Sequence, residues 1–297
     1  VSRRGRHEGP DGLAVVDKEA GWTSHDVVAK ARGLLGTRKI GHSGTLDPDA
    51  TGVLLLGVGK VTRLLRYLGL TTKTYTGVVV LGTATSTLDA SGEVTGTWDM
   101  SGTTLADVRA AAASLTGDIL QVPPMVSAVQ VGGKRLHELA RQGIEVEREA
   151  RPVTVHRFEV AEPLEPGCYP IVVECSSGTY IRTLAADVGT ALGGGAHLRD
   201  LRRTAIGSFT VDDAVALDEL GPEHLLTPAQ AMRDLAAVTV DAAVAADVAH
   251  GTVLPLERLG VDGDGPWAVL DEAGALLAVY EPHRAGTVKP GVVLAPA

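Results

Sequence analysis

A chain of 297 residues with 44% apolar and 21% charged residues has an ordinary globular composition and is long enough to bury a core without covalent staples. Two cysteines, Cys168 and Cys175, are too few for a disulfide framework and lack zinc-ligand spacing, which fits a reducing cytoplasm, and no apolar run nears the roughly 20 residues that cross a bilayer. The net charge of -9 argues against a nucleic-acid partner until it is divided: residues 1–75 hold 12 Lys and Arg against 7 Asp and Glu, and residues 204–297 hold 4 against 14, which leaves room for a basic face.

The first stretch, VSRRGRHEGPDG, is basic and reads as a mobile arm; no signal-type apolar segment follows, so export is not expected. LAVVDK (13–18) reads as a short buried strand. TSHDVVAKARGLLG (23–36) has the pattern of an amphipathic helix, with Thr23 and Asp26 at capping-box spacing and Gly36 at its end. VLLLGV (53–58) and TYTGVVVLG (74–82), rich in branched residues, predict central strands, and TLADVRAAAASL (104–115) predicts a helix. VSAVQVGGKRLHELARQG (126–143) predicts a strand, a Gly-Gly turn and a helix ending at Gly143. Strands near 152–160 and 169–176 follow, then a helix from Tyr180 to Leu192 and a Gly-Gly-Gly loop. This irregular alternation predicts an α+β fold with a large mixed, mainly antiparallel sheet flanked by helices. From Ala236 the composition shifts to Ala, Val, Asp and Gly, and WAVLD (267–271) and ALLAVYE (275–281) flank a turn, so 236–297 reads as a small separate β-rich module after a main domain of 1–235.

The densest chemistry lies in GHSGTLDPDATGVLLLG (41–57). Asp47 before Pro48 is either the N-cap of a helix or a carboxylate fixed at the mouth of a cleft, and local rules leave both open. Familiar motifs fail nearby. GVGKVT (57–62) has Leu54 where a phosphate loop needs glycine and Val61 where it needs Ser or Thr. GHSG lacks the last glycine of a nucleophile elbow, and Thr45 stands there. The nine histidines form no H-E-x-x-H pair, which argues against a zinc hydrolase, and no G-x-G-x-x-G follows a strand, which leaves a methyltransferase as a trailing alternative. An RNA-binding protein without catalysis remains as a rival.

Taken together the blocks resemble the TruB family of tRNA pseudouridine synthases. GHSGTLDPDATGVLLLGVGKVTR is similar to that family's G-H-x-G-T-L-D-P-x-A-T-G-x-L, and DKEAGWTSHDVV (17–28) to its D-K-P-x-G-x-T-S, with Glu19 in place of proline. KTYTGVVVLGTATSTLDASG (73–92), QVPPMVSAVQVGGKRLHELARQGIEVEREARPVTV (121–155), SSGTYIRTLAADVG (176–189) and GAHLRDLRRTAIGSF (195–209) complete the series in order, between residues 13 and 210. The KRLHELARQGIEVEREARP block is similar to the stand-alone bacterial type, which works without a guide RNA. The resemblance implies the pseudouridine synthase fold, with an inserted RNA-binding segment around 100–150 and a shortened PUA-like domain over 236–297.

It also implies the chemistry. The N1 bond of uridine 55 in the tRNA T-loop is broken, and the base is turned and rejoined through C5, after it has been flipped out of its stack. Nothing is gained or lost, so no cofactor and no metal is needed. By resemblance Asp47 is the nucleophile, toward C1′ or C6, and Arg182 its ionic partner. Tyr75 and Tyr180 would receive the flipped base, Leu201 would lie over it, and His42 would insert into the RNA beside it. Lys18, Arg202 and Arg203 are candidate RNA contacts, the arginines toward phosphates, while Asp89 is assigned to architecture or RNA contact. The partner expected is the T-stem-loop of tRNA, met by a cytoplasmic monomer with no membrane attachment; an enzyme that opens the tRNA elbow could also assist tRNA folding.

Overall fold

The computed structural model describes residues 9–127, 129–284 and 286–294. Most of the expected N-terminal arm lies outside them. A ten-stranded sheet forms the main body. Along its path the strands run Val215–Ala216, Gly12–Lys18, Thr51–Val58, Ala196–Ile206, Lys73–Leu81, Cys168–Cys175, Arg151–Val160 and Gly117–Gln121. Strand pairs 12–18 with 215–216 and 51–58 with 196–206 are parallel, and the other pairs along the path are antiparallel. The sheet is therefore mixed and mainly antiparallel, as the sequence predicts.

The apolar run VLLLGV has a simple physical cause. Val53 and Leu55 point into one core cluster with Leu13, Tyr67 and Phe209, while Leu54 and Leu56 point into another with Val27, Val28 and Ala31 of the helix Ser24–Leu34. A strand covered on both faces has no position for a polar residue. That helix starts as the sequence predicts: the Thr23 side chain accepts from the Asp26 N–H and the Asp26 carboxylate accepts from the Thr23 N–H. The helices Leu105–Ser114 and Ile181–Ala191 cover the other end of the sheet, over Val79, Val155, Ile171 and Val173.

A second, five-stranded sheet begins at Ala236 and includes Trp267–Leu270, Leu276–Pro282 and Thr287–Val293. This is the small β-rich, PUA-like part. It is not detached: Ala268, Leu276, Val279, Val292 and Leu294 share one core cluster with Val53 and Leu55 of the main sheet. At the seam Arg66 and the Tyr67 hydroxyl both donate to Glu281, at 2.6 and 2.7 Å. Among the described residues no helix is long and apolar enough to cross a membrane.

One open reading is decided and one expected helix is shorter. Asp47-Pro48 does not start a helix; the Ala50 N–H donates to the Asp47 carbonyl at 3.1 Å, closing a turn with Pro48 at the position its ring favours. Around the Gly132-Gly133 turn the chain forms a two-residue-per-strand hairpin, Gln130–Val131 with Lys134–Arg135, before the short helix Leu136–Ala140. Gly52 joins the turn to its strand with φ +100, beside the Arg203 backbone of the neighbouring strand. A Cβ there would fall well inside contact distance of the Arg203 carbonyl oxygen. Gly52→Ala is expected to destabilise the protein by about 3 kcal/mol, from strained backbone and a displaced neighbour together, read as a lower urea midpoint at unchanged slope.

Candidate active site

Two segments distant in sequence hold the Asp47 turn from behind. Lys18, 1% exposed, donates through Nζ to the carbonyls of Glu19, Trp22 and Pro48 at 2.9, 2.7 and 2.9 Å. The Gly21 N–H donates to the Pro48 carbonyl at 3.0 Å, and the Ser24 hydroxyl accepts from the Leu46 N–H at 2.9 Å. From the other side Arg203, also 1% exposed, donates through Nε to the Val53 carbonyl at 2.8 Å and through Nη2 to the Gly44 carbonyl at 3.1 Å. The expectation of exposed cations is corrected for both: Lys18 is buried behind the turn with its three ammonium protons on backbone carbonyls, and Arg203 is buried with two of its donors on carbonyls while it also lines the cleft. Arg202 keeps some exposure, but its guanidinium already grips both oxygens of Asp17, at 3.0 and 2.7 Å.

In front of the turn stands Arg182, in the first turn of the helix Ile181–Ala191. It is 3% exposed, and its fork is fully used. Nε lies 2.9 Å from Asp47 Oδ2, and Nη2 donates to Asp47 Oδ1 at 3.1 Å and to the Val126 carbonyl at 2.8 Å. Nη1 donates to the Thr87 carbonyl at 2.8 Å. Asp89 brings a second carboxylate to within 3.6 Å of Nε, itself held by the Thr87 and Ser91 hydroxyls at 2.6 Å each. The TLDASG stretch carried the signal for Asp89, yet only the fold shows that it shares a cation with Asp47.

The Asp47 side chain, 39% exposed, opens onto a cleft of about 280 Å³ lined by Lys73, Tyr75, Tyr180, Arg182, Leu201 and Arg203 among others. Six residues named from the sequence, Asp47, Tyr75, Tyr180, Arg182, Leu201 and Arg203, thus meet around one cavity. Gln121, which sequence reasoning missed, clamps Tyr180: its Oε1 accepts from the Tyr180 N–H at 2.7 Å and its Nε2 donates to the Tyr180 carbonyl at 3.1 Å. His42 stands apart from the cleft lining, on the strand Ile40–Ser43, with its ring edge-on to His25 at 5.4 Å between centroids. Burial, with His25 and Arg203 adding, pushes His42 below the usual imidazole range, so it is neutral at pH 7.

Asp47 itself is not an ordinary carboxyl. Burial raises its pKa; Arg182 opposes this and Asp89 reinforces it. The arrangement can do one thing well: hold a carboxylate in a single orientation, by two charge-assisted hydrogen bonds, against a half-open cavity with aromatic and apolar walls.

The family model for the TruB family pseudouridylate synthase N-terminal domain matches residues 32–181, and that for the tRNA pseudouridylate synthase B C-terminal domain matches residues 182–259. The tRNA pseudouridine synthase B of Streptomyces coelicolor is 47% identical over 294 residues, covering 94% of this chain and 96% of that protein. Its counterpart in Nocardia farcinica is 56% identical over 218 residues, covering 72% and 71%. Among solved structures, one described as a Cbf5-Nop10-Gar1 complex superposes with a TM-score of 0.76 at 26% identity, over 97% of this chain and 86% of that one.

Proposed function

Because the chain belongs to the TruB family of tRNA pseudouridine synthases, of the stand-alone bacterial type, we propose that Asp47 is the nucleophile of its reaction and that the cleft beside it receives the flipped base. The enzyme is an isomerase that converts uridine 55 of the tRNA T-loop to pseudouridine. The observation that carries the assignment of Asp47 is the two-point grip of Arg182 on its carboxylate at the mouth of the cavity.

The steps follow from the groups in place. Flipping the base costs a few kcal/mol of lost stacking. Tyr75 and Tyr180 offer ring faces worth about 1–3 kcal/mol per stacked base, and Leu201 an apolar cover. Asp47 then attacks C1′ or C6, the N1–C1′ bond breaks, the ring turns, C5 bonds to C1′, the bond from Asp47 to carbon is released, and C5 loses its hydrogen as a proton while N1 gains one. Electrons and atoms are conserved, so the chemistry calls for no redox or group-carrying cofactor. His42, outside the cleft lining, is assigned by resemblance to insertion into the loop as a neutral ring, and the protein works as a cytoplasmic monomer on the T-stem-loop, with no guide RNA. Opening the tRNA elbow would let it assist tRNA folding as well. The C-terminal sheet serves as the PUA-like domain over 236–297.

The test is to incubate an unmodified tRNA transcript with the protein in the presence of chelator and to map pseudouridine chemically. Modification at position 55 without added metal or nucleotide is expected; a requirement for either would contradict the scheme. Protonation adds a second check. Only ionised Asp47 attacks, and its pKa lies above the usual carboxyl value, so kcat/KM should fall on acidification sooner than for a free aspartate. Asp89→Asn removes a charge that raises this pKa, and the acid limb should then move to lower pH.

A further inference from the structure

One end of the cleft is built from two cations that the steps above leave unused. Lys73 lies two residues before Tyr75 on the strand Lys73–Leu81, so both side chains leave the same face of the sheet. It is 5% exposed, and its Nζ donates to the carbonyls of Gly69 and Thr71, each at 3.0 Å. An ammonium has three protons, and this one has a donor left over. Arg203 approaches from the neighbouring strand. A methyl group in place of the Gly44 hydrogen would touch both Arg203 Nη1, at 3.4 Å, and Lys73 Cε, at 3.5 Å. Both cations thus flank one bare piece of backbone, and both line the cavity that Asp47 faces.

Among the described residues neither Lys73 nor Arg203 has a carboxylate partner at ion-pair distance, whereas Arg182 has two. Buried charge without a counter-ion is costly. Burial and the nearby Arg203 push Lys73 down to about 8, with the Cys175 thiol pulling weakly the other way. The pocket is short of negative charge, and the reaction supplies it. When the N1–C1′ bond breaks, its electron pair leaves with N1 and spreads onto the ring carbonyl O2, whichever atom Asp47 attacks.

We propose that Lys73, backed by Arg203, is the electrostatic end of the cleft that takes up the negative charge of the detached uracil; this rests on the pseudouridine-forming reading of the site. The charge is transient. C5 bonds to C1′, its hydrogen is lost as a proton, N1 gains a proton, and the ring is neutral again. A donor aimed at charge that exists only after bond breaking lowers the barrier without tightening substrate binding.

The experiment compares the unaltered protein with Lys73→Met in single-turnover reactions at saturating tRNA, on transcripts carrying uridine or 5-fluorouridine at the target position. With uridine the variant is expected to be slower by about 100-fold, the loss typical of one missing oxyanion donor, while tRNA affinity stays within about twofold. Fluorine stabilises the departing anion by itself, so with 5-fluorouridine the deficit in first-turnover consumption should shrink to about tenfold or less. A variant within about threefold of the unaltered protein on uridine, or an equal deficit on both substrates, overturns the proposal. The pH profile is a second check: kcat/KM should decline above about pH 8 as Lys73 loses its proton, and because Lys18 behind the Asp47 turn is also lowered to about 8, Lys73→Met should weaken that decline; a flat profile to pH 9.5, or one unchanged in Lys73→Met, also overturns the proposal. If the unaltered protein made no pseudouridine in any arm, the reading of the site would fall first, and the two failures are told apart by that control.

Discussion

Asp47→Asn is expected to abolish pseudouridine formation, by about 10⁴-fold or more, the order of loss that follows removal of a nucleophile, while tRNA still binds within a few-fold of the unaltered affinity. Asn has the shape of Asp, and its side-chain oxygen can still accept from Arg182. The turn is untouched, because the hydrogen bond that closes it uses the backbone carbonyl of residue 47. Arg182 also keeps Asp89 at 3.6 Å and the carbonyls of Thr87 and Val126, so the guanidinium is not left stranded. What disappears is a negatively charged oxygen able to form a bond to carbon. Turnover must therefore collapse while the thermal midpoint and tRNA binding stay nearly fixed. Single-turnover mapping of pseudouridine beside a binding isotherm separates these, and an Asn variant within tenfold of full activity would move the nucleophile elsewhere.

Sequence patterns disclosed the site to the extent that its parts are local. The Asp47-Pro48 pair, the helix that carries Arg182 in its first turn and the strand that carries Tyr75 are each readable in short windows, and the fold brings all three to one cavity. What stayed hidden is what a charge meets. Arg202 reads as a free cation, and its partner Asp17 lies 185 residues away. Lys18 and Arg203 likewise read as exposed cations, and the fold buries both, with hydrogen bonds to the carbonyls of Pro48, Val53 and Gly44. The strand Ala196–Ile206 was masked by the same arginines, since its polar and apolar residues alternate only roughly and Asp200 breaks the run with φ +55. The Asp47 turn was open to misreading because Asp-Pro suits both a helix start and a turn, and only the strand beginning at Thr51 decides.

The second large effect should come from Arg182→Lys, which keeps the positive charge and loses the fork. A lysine has one nitrogen. It cannot reach both oxygens of Asp47 and also the carbonyls of Thr87 and Val126, which the guanidinium serves at 2.8 Å each. Two consequences with different readouts follow. A carboxylate held at one point can rotate, and misplacement of a reacting group by about 1 Å costs on the order of 10²-fold, so the rate at saturating tRNA should fall by 10²–10³-fold with little change in KM. Each buried carbonyl left without a donor costs about 1–3 kcal/mol, so the thermal midpoint should fall too. Asp47→Asn would slow the reaction without that loss of stability. If instead Arg182→Lys retained nearly full rate while melting earlier, the guanidinium would be a structural cross-link among three loops, and charge near Asp47 alone would suffice for its attack on the nucleoside.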